Sequence, residues 1–247
     1  MRLTLITVSY NSEETIRETF ESVRSQKLKG FNLEYIHVDG LSKDKTIEIS
    51  QEYDDIITKR ISEKDLGIYN AMNKGIELAT GDIIGFLNSD DTFSSSEILL
   101  NVCNQFIDDS NLDIVYGDIN YVNESGKIKR KWITGKRKSF RKGWHPAHPG
   151  FYAKRNLFYK HGGFDEKLRI AADFDLMLRF IEVAESKVKY LPFVFVNMKL
   201  GGESNKSFSN IWESYQNYKE SFMKYGIKPR RFYIVYRWCS KLLQMFR

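Results

Sequence analysis

Short apolar segments alternate with amphipathic segments along the first 120 residues of the chain. Runs of apolar or β-branched residues predict strands, and apolar residues that recur every three or four positions predict helices. Strands are predicted at residues 3–9, 34–38, 56–61, 81–87 and 112–116, and helices at 11–27, from 44 onward, at 66–79 and at 95–108. This alternation favours an α/β fold with a mostly parallel sheet and helices on both faces. Asn11 followed by Glu14 resembles a capping box at the start of the first helix.

The pattern changes after residue 117. Residues 119–122 and 128–133 flank Asn-Glu-Ser-Gly, which predicts a hairpin. Further strands are predicted at 151–153 and 188–198, where Pro192 is expected to interrupt the strand. Helices are predicted at 172–184, 207–225 and 230–246. The second half is therefore expected to add a small antiparallel part and C-terminal helices.

Composition indicates a well-packed folded protein. Hydrophobic residues make up 42% and aromatic residues 14% of the 247 residues. No apolar stretch is long enough to span a membrane, and the first residues lack the features of a signal peptide. Cys103 and Cys239 lie far apart without the spacing of a metal site, which suits a reducing compartment. Composition therefore predicts a cytoplasmic protein.

The net charge of +6 is distributed unevenly. Residues 127–142 contain nine Lys or Arg and no acid, and residues 228–247 contain six more, again without an acid. The rest of the chain consequently has a net charge of −9. Two basic patches on an acidic body argue against a protein that coats nucleic acid and favour local contacts with anionic surfaces.

Acidic side chains follow three of the predicted strands. Asp39, Asp65 and the pair Asp90/Asp91 each come just after a strand end. Because the carboxyl ends of parallel strands meet at one edge of a sheet, these side chains are expected to converge there. Oxygen ligands favour Mg²⁺ or Mn²⁺. The alternative for each residue alone is a turn or helix-cap role.

Dinucleotide and P-loop signatures are absent, but other motifs occur in a recognisable order. They are TVSYN at 7–11, VDGLSKDKT at 38–46, DLGIYNAMNKG at 65–75, NSDD at 88–91, HPG at 148–150, ADFD at 172–175 and GGES at 201–204. Together they resemble the family 2 glycosyltransferases of the GT-A fold. The resemblance covers roughly residues 1–205 and implies a nucleotide-sugar half at 1–117 and an acceptor half at 118–205. Residues 206–247 would form a C-terminal helical extension.

The resemblance implies a role for each motif in the nucleotide-sugar half. The loop after the first strand, Val8, Ser9, Tyr10 and Asn11, would hold the base, with Tyr10 stacking on it. Asp39 would accept a hydrogen bond from the uracil N–H. Asp65 would lie beside the base and ribose, and Asn73 and Lys74 on the next helix would lie near the nucleotide sugar. Asp90 would contact ribose or metal, and Asp91 would coordinate the Mn²⁺ or Mg²⁺ ion that bridges the diphosphate. Because NSDD stands where the family has Asp-x-Asp, Asp91 is the preferred metal ligand.

In the second half, Asp173 resembles the catalytic base of an inverting, non-processive enzyme. A carboxylate there would take the proton of the acceptor hydroxyl. Without the resemblance, Asp173 could equally be a helix N-cap. Asp175 would support it, and His148 would contact the acceptor or a phosphate, or else pack a loop. The processive signature Gln-x-x-Arg-Trp is absent after Asp173, which favours addition of a single sugar.

The resemblance predicts transfer from a UDP-sugar to a glycan or lipid-linked acceptor in bacterial surface polysaccharide synthesis. A helix at 230–246 would be amphipathic, which suits contact with the inner face of the plasma membrane through residues 228–247. Docking of that helix on the domain is the alternative. The competing functions are a sugar-1-phosphate nucleotidylyltransferase and a nucleic-acid-binding protein. The sequence lacks the Gly-rich basic loop of the first, and its acidic body disfavours the second.

Overall fold

The computed structural model describes residues 1–200, 208–231 and 233. Nine strands occur in this part of the chain: β1 Arg2–Ser9, β2 Asn32–Asp39, β3 Lys59–Ser62, β4 Ile83–Phe86, β5 Thr92–Phe93, β6 Ile114–Val122, β7 Ile128–Trp132, β8 Phe151–Lys154 and β9 Val188–Lys199. The α-helices are α1 Ile16–Arg24, α2 Thr46–Gln51, α3 Ile68–Leu78, α4 Ile98–Asp108, α5 Arg155–His161, α6 Ala172–Leu178 and α7 Phe208–Lys224. A π-helical turn, Arg179–Val183, continues α6.

All nine strands belong to one mixed sheet. Its order is β3-β2-β1-β4-β8-β6-β9-β5, and β7 pairs with β6 as a hairpin, beyond the residues of β6 that pair with β8. The first four strands are parallel, as the alternation predicts, and their register places Ser9 beside Asp39 and Asp39 beside Ser62. Because β1, β2 and β3 end at the same position along the sheet, their polar end residues lie together at one edge. The predicted α/β fold with a parallel first half is confirmed.

Two apolar cores cover the two faces of the sheet. Alternate residues of β1 point to opposite faces, as a strand period of two requires. Ile6 and Val8 pack in the core that also contains α3 and α6, whereas Leu3 and Leu5 pack in the core formed with α1 and α4. The sheet is therefore sandwiched between helices. No helix within the described residues is long and apolar enough to cross a bilayer.

The predicted capping box at Asn11 is wrong. Helix α1 begins at Ile16, and its N-cap Thr15 makes no side-chain capping bond. Asn11 instead adopts the left-handed conformation (φ 48°), which asparagine tolerates better than most residues. Its Oδ1 accepts a hydrogen bond from the Lys43 backbone N–H at 2.9 Å. The Asn11 side chain therefore joins two loops, whereas the local sequence pattern predicted that it would cap the helix.

The predicted elements of the second half need more correction. The separate strands at 112–116 and 119–122 are one strand, β6, while β5 and α5 were not predicted. Strand β8 inserts antiparallel between β4 and β6. Pro192 does not interrupt β9, because the register of β9 against β6 shifts around Asp118 and accommodates the proline in a bulge. Pairing with distant strands decides each of these outcomes.

Candidate functional site

One cavity of about 870 Å³ opens at the carboxyl edge of the parallel strands. Its wall combines the loop after β1, the turn after β4, the starts of α3 and α6, the β6–β7 hairpin and α7. Eight of the predicted site residues line it, namely Val8, Ser9, Tyr10, Asn11, Asp65, Asp90, His148 and Asp173. Four others, Asp39, Asn73, Lys74 and Asp91, lie behind this wall. The two groups have different surroundings.

Asp39 has no exposed surface and is held by serine residues. Its Oδ1 accepts from the hydroxyls of Ser9 (2.9 Å) and Ser42 (2.5 Å), and its Oδ2 accepts from the Ser42 backbone N–H (2.8 Å) and the Ser62 hydroxyl (2.7 Å). Burial opposes ionisation, but these donors hold the pKa of Asp39 below its ordinary value. A carboxylate offers about four acceptor positions. A uracil N–H would therefore have to replace one of the protein donors.

Asp65 lies at the rim of the cavity beside Tyr10 and Gly40. Its Oδ1 accepts from the Gly67 backbone N–H at 3.0 Å, which folds the turn before α3. A Cβ at residue 40 would clash with the Asp65 carboxylate and press on the Tyr10 ring. Glycine at position 40 therefore allows Tyr10 and Asp65 to approach each other. The Tyr10 side chain is 60% exposed at the cavity mouth, so its ring is open to a ligand.

Asn73 and Lys74 fasten helix α3 to its neighbours. The Asn73 amide accepts from the Phe164 backbone N–H at 2.8 Å and donates to the Phe164 carbonyl at 3.0 Å. Lys74 pairs with Glu63 at 2.8 Å and donates to the Lys64 carbonyl. The structure thus places both away from the cavity lining, where the sequence analysis expected contact with the nucleotide sugar. Each instead positions a segment that forms the wall.

Asp90 and Asp91 have opposite environments. Asp90 lines the cavity together with Asn88, whereas Asp91 has no exposed surface. Asp91 Oδ2 accepts from Asn88 Nδ2 at 3.0 Å, whereas Asp91 Oδ1 is buried without a hydrogen-bond partner. The Lys199 backbone and side chain lie close enough to favour the charged form of Asp91. Burial, and next the charge of Asp90, raise the pKa of Asp91 well above its ordinary value. Asp90 therefore lies on the ligand side of the turn, while the preference for Asp91 as the metal ligand stays a prediction.

A divalent cation would fit this edge only with help from a substrate. No group of three or more His, Cys, Asp or Glu that could hold a metal occurs among residues 1–200, 208–231 and 233. The wall offers the Asp90 carboxylate and Asn88 Oδ1, and that amide oxygen is buried without a hydrogen-bond partner. Mg²⁺ is commonly held by one or two carboxylates plus substrate phosphates. The donor set suits an ion completed by a diphosphate.

Asp173 lies in the first turn of α6 and lines the cavity. The alternative that it caps this helix is wrong, because the N-cap is Ala171, in the left-handed conformation (φ 69°). The phenol of Tyr69 lies near this helix end, where the backbone N–H groups of Asp173 and Ala172 favour its ionised form. Burial, and next the Asp173 carboxylate, raise the pKa of Tyr69 well above its ordinary value. Asp173 therefore presents its carboxylate to the cavity.

His148 and Asp175 flank Asp173 in different ways. His148 is 9% exposed, its ring lies 5.3 Å from that of Phe86, and its Nε2 has no partner. Burial lowers the pKa of His148, against the opposing charge of Asp173, so the imidazole is neutral at pH 7. Asp175 is fully buried and accepts from the Tyr225 hydroxyl at 3.1 Å. Asp175 consequently ties α6 to the segment after α7.

An aromatic wall of the cavity was not predicted from the sequence. Helix α3, the β6–β7 hairpin, α7 and the segment after it contribute five tyrosines and one tryptophan, namely Tyr69, Tyr121, Trp132, Tyr215, Tyr218 and Tyr233. The guanidinium of Arg130 lies 3.8 Å from the centre of the Tyr121 ring. One signal in the sequence could have indicated part of this wall. Side chains alternate between the two faces of a strand, so Arg130 and Trp132 lie on the same face of β7. Only the pairing with β6 shows that this face points inward.

The two basic segments meet in the structure. Arg141 Nε donates to the Lys228 carbonyl at 2.7 Å, and the Arg230 backbone N–H donates to the Arg141 carbonyl at 3.1 Å. Lys136, Lys138 and Lys142 are exposed and have no ion pair among the described residues. The predicted helix at 230–246 lies outside the described residues except at positions 230, 231 and 233. The basic surface therefore combines parts of both segments.

Comparisons with known proteins agree with this architecture. Residues 4–170 match the family profile described as glycosyl transferase family 2. An uncharacterized glycosyltransferase of Mycobacterium tuberculosis is 30% identical over 191 residues, covering 74% of this chain and 70% of that protein. A PGL/p-HBAD biosynthesis glycosyltransferase of Mycobacterium bovis is 27% identical over 209 residues, covering 81% and 78%.

Among solved structures, S. aureus TarS 1–349 in complex with UDP superimposes with a TM-score of 0.67 at 20% identity. The superposition covers 93% of this chain and 68% of the TarS chain. The mannosyltransferase PcManGT from Pyrobaculum calidifontis in complex with GDP-Man and Mn²⁺ gives a TM-score of 0.64 at 18% identity, covering 90% and 63%. At these identities the structures support the shared fold.

Proposed function

Because the chain belongs to glycosyl transferase family 2, we propose that it moves one sugar from a UDP-sugar to a hydroxyl of a glycan or lipid-linked acceptor, with inversion at the anomeric carbon. The observation that supports this most directly is the meeting of Asp90 and Asp173 at one cavity. They come from opposite halves of the fold, the first after a parallel strand and the second at the start of α6. One cavity thus joins a diphosphate-facing carboxylate to a candidate base.

The donor half provides binding groups for a nucleotide. Tyr10 offers an exposed ring face to the base, and Asp39 accepts the uracil N–H in place of one serine donor. Asp90, with Asn88 Oδ1, would hold a Mn²⁺ or Mg²⁺ ion. When bound, such an ion supplies positive charge that stabilises the leaving diphosphate. The complexes of TarS with UDP and UDP-GlcNAc, and of PcManGT with GDP-Man and Mn²⁺, support this type of donor.

Asp173 acts as the general base in this proposal. Its carboxylate takes the proton of the acceptor hydroxyl while that oxygen forms a bond to the anomeric carbon. The bond from the anomeric carbon to the diphosphate breaks, and its electron pair leaves with the nucleoside diphosphate. A single displacement inverts the configuration and needs no enzyme nucleophile. Neutral His148 lies beside Asp173 and offers an unpartnered ring nitrogen to a hydroxyl or phosphate.

The acceptor side is expected to bind a sugar against the aromatic wall. The basic surface near Arg141 and Lys228 suits the anionic headgroups of a membrane that holds a lipid-linked acceptor. Similarity to glycosyltransferases named for PGL/p-HBAD biosynthesis supports a role in bacterial surface glycan assembly. We therefore extend the proposal to a cytoplasmic enzyme that works at the inner face of the plasma membrane.

A thermal-shift panel tests the donor. The protein is melted with UDP, GDP and CMP, each in Mn²⁺ and in EDTA. A ligand at about 100 times its dissociation constant stabilises a protein by about 2.7 kcal/mol, which gives a clear rise in Tm. UDP in Mn²⁺ should give the largest rise. A larger rise in Tm with GDP would indicate a GDP-sugar donor in place of a UDP-sugar. No rise with any nucleotide would overturn the proposal.

A further inference from the structure

The cavity has an excess of acidic groups at its wall. Six carboxylates and two guanidinium groups line it, namely those of Glu13, Glu14, Asp44, Asp65, Asp90 and Asp173 and of Arg130 and Arg169. Arg169 forms an ion pair with Glu213, to which its Nε also donates at 2.9 Å. An anionic diphosphate that enters such a cavity meets a repulsive field. A bound divalent cation would offset part of this field, and a cationic side chain of the wall would offset more of it.

Arg130 supplies that charge. Within the described residues it has no ion pair. Its neighbours Lys129 and Lys131 are exposed on the outer face of β7, whereas Arg130 is half-buried on the face that lines the cavity. Its Nε is buried and has no hydrogen-bond partner. A buried donor without a partner costs free energy, so this nitrogen is a vacant binding position.

Tyr121 holds the guanidinium in place. The two residues face each other across the β6–β7 pairing, and the guanidinium carbon lies 3.8 Å from the centre of the ring. Stacking on a ring fixes the plane of the guanidinium and directs its N–H groups sideways. Burial raises the pKa of Tyr121, and the positive charge of Arg130 lowers it. The carboxylates of Asp91 and Asp173 lie close enough to raise it as well. Arg130 thus lies near both halves of the proposed active site.

We infer that Arg130 is a phosphate-binding residue, which clamps an oxyanion of the donor diphosphate in the cavity while its guanidinium is stacked on Tyr121. This inference rests on the proposed function. An arginine fork matches a phosphate in a way that a lysine cannot, because it donates two parallel hydrogen bonds. The same contact persists as negative charge grows on the departing diphosphate. An anionic group on the acceptor would use the same chemistry, so the test separates the two sources.

The test titrates UDP, UMP and uridine into the wild type, Arg130→Gln and Arg130→Lys in EDTA and again in Mn²⁺. The matched control is Arg155→Gln. Arg155 also stacks on a tyrosine, Tyr159, at 5.0 Å, but it does not line the cavity. In Arg130→Gln we expect about tenfold weaker UDP binding or more, a smaller loss for UMP and unchanged uridine affinity. Arg130→Lys should be intermediate, and Arg155→Gln should match the wild type.

Three outcomes would overturn the inference. Equal losses for UDP and uridine would mean that Arg130 only supports the shape of the wall. Unchanged UDP affinity in Arg130→Gln would exclude the donor diphosphate and leave an anionic acceptor as the partner. A fall in Tm of Arg130→Gln well beyond that of Arg155→Gln, with lost UDP binding that Arg130→Lys does not recover, would indicate a structural role. If the wild type binds no nucleotide, the proposed function fails first.

Discussion

The two halves of the cavity are built by different means. In the donor half, polar groups at the strand ends are bonded to one another. His37 Nε2 lies 2.8 Å from the Ser9 hydroxyl and its Nδ1 lies 2.7 Å from the Ser50 hydroxyl, while Ser9 donates to Asp39. In the acceptor half, stacked rings form the wall, and Arg130 Nε and His148 Nε2 lack partners.

This difference matches what each half must bind. The bonded network around Ser9, His37 and Asp39 holds its geometry before a ligand arrives, which suits a nucleotide of constant shape. The vacant oxygens of the donor half, Asn88 Oδ1 and Asp91 Oδ1, lie at the turn after β4. Aromatic surface with vacant polar atoms binds through faces and edges and tolerates variation in its ligand. The donor half is therefore expected to keep a fixed geometry. Substitutions in the acceptor half are expected to lower activity without lowering the free energy of unfolding.

The largest expected effect comes from Asp173. Replacing it with Asn keeps the shape of the side chain but removes the base, so kcat should fall by about 10²–10⁴-fold. UDP affinity should stay near that of the wild type, because the residue faces the acceptor. The measurement is initial-rate kinetics beside UDP titration. Loss of UDP binding together with lowered Tm would mean that Asp173 holds α6 in place.

Asp91 should show the opposite behaviour. Asp91→Ala leaves the Asn88 amide without its buried acceptor, so the free energy of unfolding should fall by about 1–3 kcal/mol. Asp91→Asn retains an acceptor oxygen and should lose less. Denaturant unfolding of both variants measures this. A stable Asp91→Ala protein that has lost Mn²⁺-dependent UDP binding would support Asp91 as the metal ligand.

A smaller effect depends on pH and tests the network of the donor half. Burial lowers the pKa of His37 from 6.5 to about 4, against the attraction of Asp39. The unfolded chain therefore binds a proton first as pH falls, and stability is lost from about pH 6.5 down through pH 4. Between pH 7 and pH 5 the expected loss is about 2 kcal/mol. His37→Gln should lack most of this loss in denaturant unfolding, and an identical loss in the variant would assign it elsewhere.

The fold of the donor half could be predicted because its signals are local. Apolar runs mark β1, β2 and β4, and the rule that parallel strand ends share an edge places Asp90 correctly. The preference for Asp91 over Asp90 as the metal ligand stays a prediction. The sequence alone could not show that Asp90 lines the cavity and that Asp91 is buried, since the two differ by one residue along the turn.

The acceptor half depends on contacts between distant segments. The insertion of β8 between β4 and β6 and the bulge at Pro192 follow from pairing, and sequence periodicity does not include pairing. For the same reason Arg130 was not predicted as a site residue. It lies in a run of basic residues, and only the pairing of β7 with β6 shows which of them face the cavity. Motif resemblance predicted Asp173 as the base, which stays a prediction, and only the structure excluded its capping role.

The most direct test of the central claim is the Mn²⁺-dependent gain in UDP affinity, measured by titration calorimetry in the wild type, Asp90→Asn and Asp173→Asn. The claim is that one cavity joins a diphosphate-binding edge at Asp90 to a base at Asp173. It predicts that Asp90→Asn loses the gain from Mn²⁺ while Asp173→Asn keeps it in full. Equal loss in both variants, or an undiminished gain in Asp90→Asn, would contradict it.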